Sequence, residues 1–344
     1  MDQKQPPKLL DQVRQKIRFL HYSSKTERAY LQWIRRYILF HGKRHPKEMG
    51  EVELSSFLNY LVNKENVSAS TQNQALTAII FLYKQVLNIE LGELPEFQYA
   101  RKPKRLPVVL TQEEVKSVFV YLKETHKTIV GLLYGSGLRL NECLSLRILD
   151  VDFGRSEITV RRGKGNKDRR TVLPDFVVPG LKMAIAKAEK YFERDQLDGI
   201  DYVYLPDALS RKYPNAGKQL KWQYVFASGD TSIDPVSGRR GRHHIHAKSV
   251  SRAISYAVKR AKIMKHVSAH VFRHSFAMHL LENGYGRFLL LQNRHTLHPV
   301  DNIRTVQELM GHSNVNTTMV YTHVLNRGGK GVKSPLDDFA LQDN

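Results

Sequence analysis

Between Gly92 and Pro107 the chain loses the helical periodicity that it keeps on either side. Pro95, Pro103 and Pro107 interrupt the segment; each removes a backbone donor and biases the preceding residue away from helix. Arg101, Lys102, Lys104 and Arg105 crowd around Pro103. A stretch so charged and so broken cannot run through a packed core. It therefore reads as a basic linker over residues 92–107, separating a first unit at 1–91 from a second at 108–326. The linker is either a solvated charge run or a strap along a polyanion.

The first unit reads as helical. Ser24 and Glu27 have capping-box spacing, with Tyr30, Ile34, Tyr37 and Ile38 following at helical intervals. A second strong helix starts near Ser70, with Leu76, Ile79, Ile80, Tyr83 and Leu87 on its apolar face. Four short helices fit residues 8–91.

The second unit opens on another capping box, Thr111 with Glu114, and is mainly α with a small antiparallel β-sheet. Residues 157–162 alternate apolar and polar, residues 163–166 supply a turn, and residues 170–173 give the return strand. Residues 207–242 turn polar and glycine-rich and read as an insertion, about 207–246 in full. The tail, 327–344, is weakly periodic.

Composition narrows the partner. Lys and Arg number 54 against 33 Asp and Glu, a formal charge of +21 spread along the chain. That excess points to a nucleic acid, since a membrane-surface protein concentrates its basic residues beside an apolar or lipidated anchor. The first ten residues lack the apolar core of a signal peptide, and no stretch is long enough to cross a bilayer, so the expected location is cytoplasmic, in association with the nucleoid. Cys143 is the sole cysteine, which excludes an intramolecular disulfide and cysteine-based zinc sites; its leucine neighbours suggest a core thiol.

Six residues carry the chemistry. Arg139 follows two glycines at a helix start, with Glu142 three positions on to brace its guanidinium; alone, the pair is also an ordinary surface ion pair. Lys164 sits between Gly163 and Gly165 at the tip of the expected hairpin, where a mobile ammonium could protonate a leaving oxygen; alone, it is a turn lysine. His270 and Arg273 share one face of a helix that opens after Ser268 and closes at Gly284, with Phe272, Phe276 and Leu280 on the buried face. His274 and His279 read as structural. His312 and Tyr321 close the set; a tyrosine must lose its proton to attack a phosphodiester, and nearby cations and imidazoles assist that loss.

In this order the six resemble the catalytic set of the tyrosine recombinase family, the phage integrases and Xer-type recombinases. The resemblance runs from about residue 8 to 326 and implies a two-domain clamp around DNA. It further implies that Tyr321 attacks a backbone phosphate to leave a 3′-phosphotyrosyl link, Arg139 and Arg273 clamp the nonbridging oxygens, His312 adds a hydrogen bond, Lys164 acts as general acid and His270 as general base. No metal or other cofactor is expected. Four protomers on two DNA sites are implied, with residues 332–339 the candidate for exchange between neighbours.

A narrower resemblance lies in residues 209–228 and the GRRGRHHIH run after them, which look like the extra segment of integron integrases. Those enzymes recombine cassette sites folded from single-stranded DNA as well as duplex sites, reading bases that protrude from the hairpin. Trp222, Tyr224, His243 and His244 are residue types that stack on such bases; Trp222 equally suits a core. Other readings are a Xer-like or phage-type recombinase on duplex sites, a type IB topoisomerase, and a DNA-binding module with a dead site. One departure stands out: residues 286–302 intervene before the helix expected at Ile303, where the family has only a few residues. A loop there leaves the site intact, whereas a displaced helix would not.

Overall fold

The computed structural model describes residues 7–92, 107–161, 168–205, 207–235, 237–282, 299–311 and 318–319. The chain divides into two compact units, Met1–Arg105 and Leu106–Asn344.

The first unit is built of α1 (Leu9–Phe19), α2 (Ser24–Phe40), α3 (Glu51–Asn63) and α4 (Ala69–Phe81), the last continuing into a π-helical turn at Leu82–Leu87. The cap of α2 differs from the expected capping box by one residue. Ser23 is the N-cap and accepts from the Thr26 amide at 3.1 Å, while Glu27 turns instead to the Arg18 guanidinium at 3.0 Å. Ser68 caps α4 in the same way. Helix α2 serves two cores at once: Trp33 and Tyr37 pack with Leu54, Phe57, Leu76 and Ile79, whereas Ile34 packs with Val13, Ile17 and Phe81. The buried hydroxyls of Tyr37 and Tyr83 satisfy each other at 2.9 Å, as polar groups taken from water must.

The second unit contains α5 (Gln112–Val120), α6 (Glu124–Gly135), α7 (Leu140–Leu144), α8 (Val178–Leu197), α9 (Asp207–Lys212), α10 (Ala247–Arg260), α11 (Ala269–Glu282) and α12 (Pro299–Met310). Thr111 and Glu114 form the expected capping box at α5. Strands β1 (Val151–Asp152), β2 (Glu157–Val160) and β3 (Arg169–Val172) make one antiparallel sheet. Val160 is paired with Arg169 and Ile158 with Thr171, so the return strand begins one residue before the expected start. Ile158, Val160 and Thr171 are buried, the face that the alternation assigned to the core. Helix α6 lies at the centre, its Ile129, Val130, Leu132 and Leu133 joined in one core with Leu144, Ile158, Leu181, Ile254 and Phe272. Cys143 is fully buried there, and burial pushes its thiol far up from the ordinary range.

The insertion holds a second antiparallel pair that the sequence did not suggest, β4 (Ala227–Ile233) with β5 (Arg240–His244). It is fastened by a buried ion pair. Arg242 donates to both Asp195 carboxylate oxygens at 2.6 Å and to the Ser228 and Gly229 carbonyls at 2.7 Å. Among the described residues no helix is long and apolar enough to cross a membrane.

Candidate active site

Three of the six chemistry-bearing residues lie within the described structure: Arg139, His270 and Arg273. Lys164, His312 and Tyr321 lie outside it, as do the linker residues Arg101, Lys102, Lys104 and Arg105 and residues 332–339.

Arg139 is placed by a turn that only glycine permits. Gly137 has φ +63°, and a Cβ there would fall 2.5 Å from the Phe276 ring. The chain thus passes close over α11 and enters α7 with Arg139 at its N-cap. Glu142, one turn on, accepts from the Arg139 amide at 2.9 Å and from its Nη1 at 2.6 Å. The Arg139 Nη2 donates to the Gly311 carbonyl at 3.1 Å, leaving the guanidinium one-fifth exposed.

Arg273 is held differently. It does not share an open face with His270, as their spacing suggested; it is only 3% exposed, because α11 is packed around most of its circumference. Its guanidinium donates to the Gly137 and Met310 carbonyls, spanning the turn before Arg139 and the end of α12. His270 remains exposed one turn earlier. Partial burial, then the charges of Arg273 and Arg139, press its pKa below 6.5, so it rests as a neutral imidazole able to accept a proton. His274 is pushed down to about 4, chiefly by burial. His279 is buried and bonds the Tyr134 hydroxyl at 2.8 Å; both fit structural roles.

A residue outside the expected set completes this cluster. Arg169, at the start of β3, donates to both Glu142 oxygens at 3.0 and 2.6 Å and to the Leu309 carbonyl at 3.1 Å. Burial alone would raise the Glu142 carboxyl, but pairing with Arg169 and then Arg139 outweighs it and holds the pKa at about 2. The signal in the sequence was the arginine pair after the hairpin turn, which has no distinguishing spacing.

The expected base-contacting residues divide. Trp222 and Tyr224 are only 7% and 4% exposed and belong to a satellite core with Val203, Leu205 and Ala216. Their rings are therefore core contacts rather than open stacking faces, because the segment folds back on Arg147. That arginine, also missed, is buried, donates to the Trp222 and Tyr204 carbonyls at 2.5 Å and stacks on the Tyr224 ring at 4.5 Å. His243 is exposed over this platform, its ring 5.1 Å from that of Tyr224 and 4.1 Å from that of half-buried His244.

The two units match two family descriptions: residues 9–93 the phage integrase N-terminal SAM-like domain, and residues 108–290 the phage integrase family. An Escherichia coli protein named "Integrase/recombinase" is 47% identical over 330 residues, covering 96% of this chain and 93% of its own length. "Tyrosine recombinase XerA" of Thermococcus onnurineus is 33% identical, with 88% and 86% covered. The fold resembles that of the XerH site-specific recombinase bound to its difH substrate, with TM-score 0.57 at 19% identity over 94% of this chain and 84% of that one.

Proposed function

Since the chain belongs to the phage integrase family of tyrosine recombinases, enzymes that cut and rejoin DNA, we propose that it is a site-specific recombinase of the integron integrase type. It acts in the bacterial cytoplasm, at the nucleoid, on folded single-stranded cassette sites and on duplex attachment sites. Tyr321 Oη forms a bond to the scissile phosphorus while the bond from phosphorus to the 5′ oxygen breaks. His270 takes the tyrosine proton and Lys164 supplies one to the leaving oxygen. The result is a 3′-phosphotyrosyl link and a free 5′ hydroxyl. A 5′ hydroxyl from the partner strand reverses the steps, so the energy of the phosphodiester is conserved and no nucleotide cofactor is consumed.

Arg139 and Arg273 bind the nonbridging oxygens and stabilise the charge of the pentacovalent transition state, with His312 adding a hydrogen bond. The observation that carries this reading is their common anchorage. The Arg139 guanidinium is fixed to the Gly311 carbonyl and that of Arg273 to the Met310 carbonyl, the residues that lead into His312, and Arg273 also to Gly137, two residues before Arg139. Rigid planar forks on one backbone turn suit a phosphate better than flexible ammonium groups do. Four protomers act on two sites, with residues 332–339 exchanged between neighbours.

The integron assignment draws on residues 209–246. His243, exposed on the Tyr224 and Arg147 platform, is the group offered to an extrahelical base. A second reading, a Xer-like enzyme confined to duplex sites, is favoured by the burial of Trp222 and Tyr224.

Covalent capture separates them. The protein is incubated in EDTA with end-labelled folded and duplex forms of a cassette site, and adducts resistant to SDS are scored. An adduct on the folded strand that is lost in Tyr321→Phe supports the integron reading. A Tyr321-dependent adduct on duplex alone favours the Xer-like one, and binding without any adduct overturns the proposed chemistry.

A further inference from the structure

Resting on that reading, we propose that Arg169 is a positioning residue for phosphate activation. It shares the Glu142 carboxylate with Arg139 and so prevents that carboxylate from neutralising the guanidinium that grips the phosphate. At the same time it ties the strand that follows Lys164 to the turn that precedes His312.

The first half follows from saturation and charge. A carboxylate has about four acceptor positions. Here Oε1 accepts from Arg139 Nη1 and Arg169 Nη1, and Oε2 from the Arg139 amide and Arg169 Nη2. With two guanidiniums on one carboxylate the trio carries one net positive charge. Without Arg169 the remaining pair is neutral, and Glu142 is free to take more of Arg139 in the bidentate geometry that such pairs prefer. At 20% exposure for Arg139 and 10% for both Glu142 and Arg169, solvent screens little of this change.

The second half follows from reach. Arg169 opens β3 opposite Val160, five residues after Lys164. Its Nε donates to the Leu309 carbonyl at 3.1 Å, and its stem lies over Gly311. Gly311 has φ +60°, and a Cβ there would meet Arg169 Cδ at 2.9 Å. The absence of a side chain at 311 is what lets Arg169 pass between β3 and the end of α12. Arg139 and Arg169 thus grip the Gly311 and Leu309 carbonyls, two residues apart in one turn, and the same carboxylate.

The test compares two scissile groups: the normal phosphodiester, and a methylphosphonate in which a methyl replaces one nonbridging oxygen and removes the negative charge. Single-turnover adduct formation is measured for wild type, Arg169→Met and Arg169→Lys, with DNA binding and thermal melting measured in parallel. The expected result for Arg169→Met is near-normal DNA binding, adduct formation slowed roughly 100-fold on the phosphodiester, and a slowing of less than about 10-fold on the methylphosphonate, where the clamp has less charge to meet. Arg169→Lys falls between, and carries the comparison if the methionine variant does not fold. An equal slowing on both substrates would mean a merely structural residue and overturn the inference. So would unchanged rates in a wild type that forms Tyr321-dependent adducts, whereas a wild type that forms none overturns the recombinase chemistry itself.

Discussion

Glu142→Gln removes the charge at the centre of the arginine cluster while keeping its shape, and the structure sets the size of the effect. A carboxyl held at about 2 instead of its ordinary 4.5 stabilises the fold, at neutral pH, by an upper figure of about 3 kcal/mol, since each unit is worth about 1.4. The sign follows from the direction of the shift. The folded value is depressed, so the stabilisation is fully present above about pH 4.5 and is lost as pH falls through the folded value. The variant should be less stable at pH 7 by up to about 3 kcal/mol, or about 6–12 °C in melting temperature for a unit the size of Leu106–Asn344. The gap should stay flat down to about pH 5 and shrink to roughly half by pH 3. The assay uses a convenient feature of the chain: its two tryptophans, Trp33 and Trp222, lie one in each unit. In a Trp33→Phe background, Trp222 fluorescence in urea reports the second unit alone. A gap that is absent at pH 7, or one that does not change between pH 7 and pH 3, would refute the argument that ion pairing with Arg169 and Arg139 sets the state of Glu142.

Arg242→Ala strands Asp195 in a buried position, and is expected to destabilise the same unit by about 3–5 kcal/mol; replacing both partners by Met and Leu should recover most of it, as read by Trp222 fluorescence. Gly311→Ala places a side chain at φ +60° and 2.9 Å from Arg169, so it should slow adduct formation on the phosphodiester in parallel with Arg169→Met while leaving DNA binding nearly unchanged. His243→Ala should weaken binding to a folded cassette site by about 1–3 kcal/mol in a mobility-shift titration and spare duplex binding; Trp222→Phe, acting on the core, should lower the melting temperature without changing that ratio. In an NMR titration the His274 imidazole should change charge near about 4, well below an ordinary histidine; this depressed value contributes stability that is lost as pH falls from about 6.5 toward 4.

What the sequence disclosed and what it withheld divide along physical lines. Signals confined to one element were legible: the Thr111 and Glu114 capping box, the alternation that buries Ile158 and Val160, the isolated core thiol of Cys143. Each depends on neighbours a few residues away. Within the site, the spacing of Arg139 and Glu142 correctly suggested a brace, while Lys164, His312 and Tyr321 lie outside the described residues. What failed was any statement that depended on a distant backbone. Helical spacing placed His270 and Arg273 on one open face, but the carbonyls of Gly137 and Met310 draw Arg273 into the interior, since a buried guanidinium can persist where its donors find acceptors. Arg169 escaped notice because its partners lie at 142 and 309, and no local pattern connects those numbers. The ring of Tyr224 misled for the same reason, whereas the core reading of Trp222 holds: Arg147, more than seventy residues earlier, stacks on Tyr224 and takes the Trp222 carbonyl. Strand β5, RGRHH, carries no apolar alternation at all, and its place is set by the Arg242 pair with Asp195.

The same anchorage bears on residues 286–302, the departure that could have displaced the helix leading to His312. Helix α12 starts at Pro299 rather than at Ile303, with proline at a first helical position where its missing amide costs nothing. Its later turns are held from three sides. Val306 and Met310 pack with Phe276 and Met278 of α11, Arg169 takes the Leu309 carbonyl, and Arg273 and Arg139 take those of Met310 and Gly311. A longer connection before such a helix carries only a slowly growing entropic cost, about 0.6 kcal/mol for each doubling of loop length, small beside the buried side chains and charged hydrogen bonds that dock α12. The described turns of α12 thus hold the carbonyls that anchor Arg273 and Arg139 through packing and charged hydrogen bonds of their own. Shortening residues 286–298 to a few residues should accordingly leave the Tyr321-dependent adduct rate within about threefold of wild type; a loss comparable to that of Arg169→Met would show that the insertion, and not the packing of α12, fixes the site.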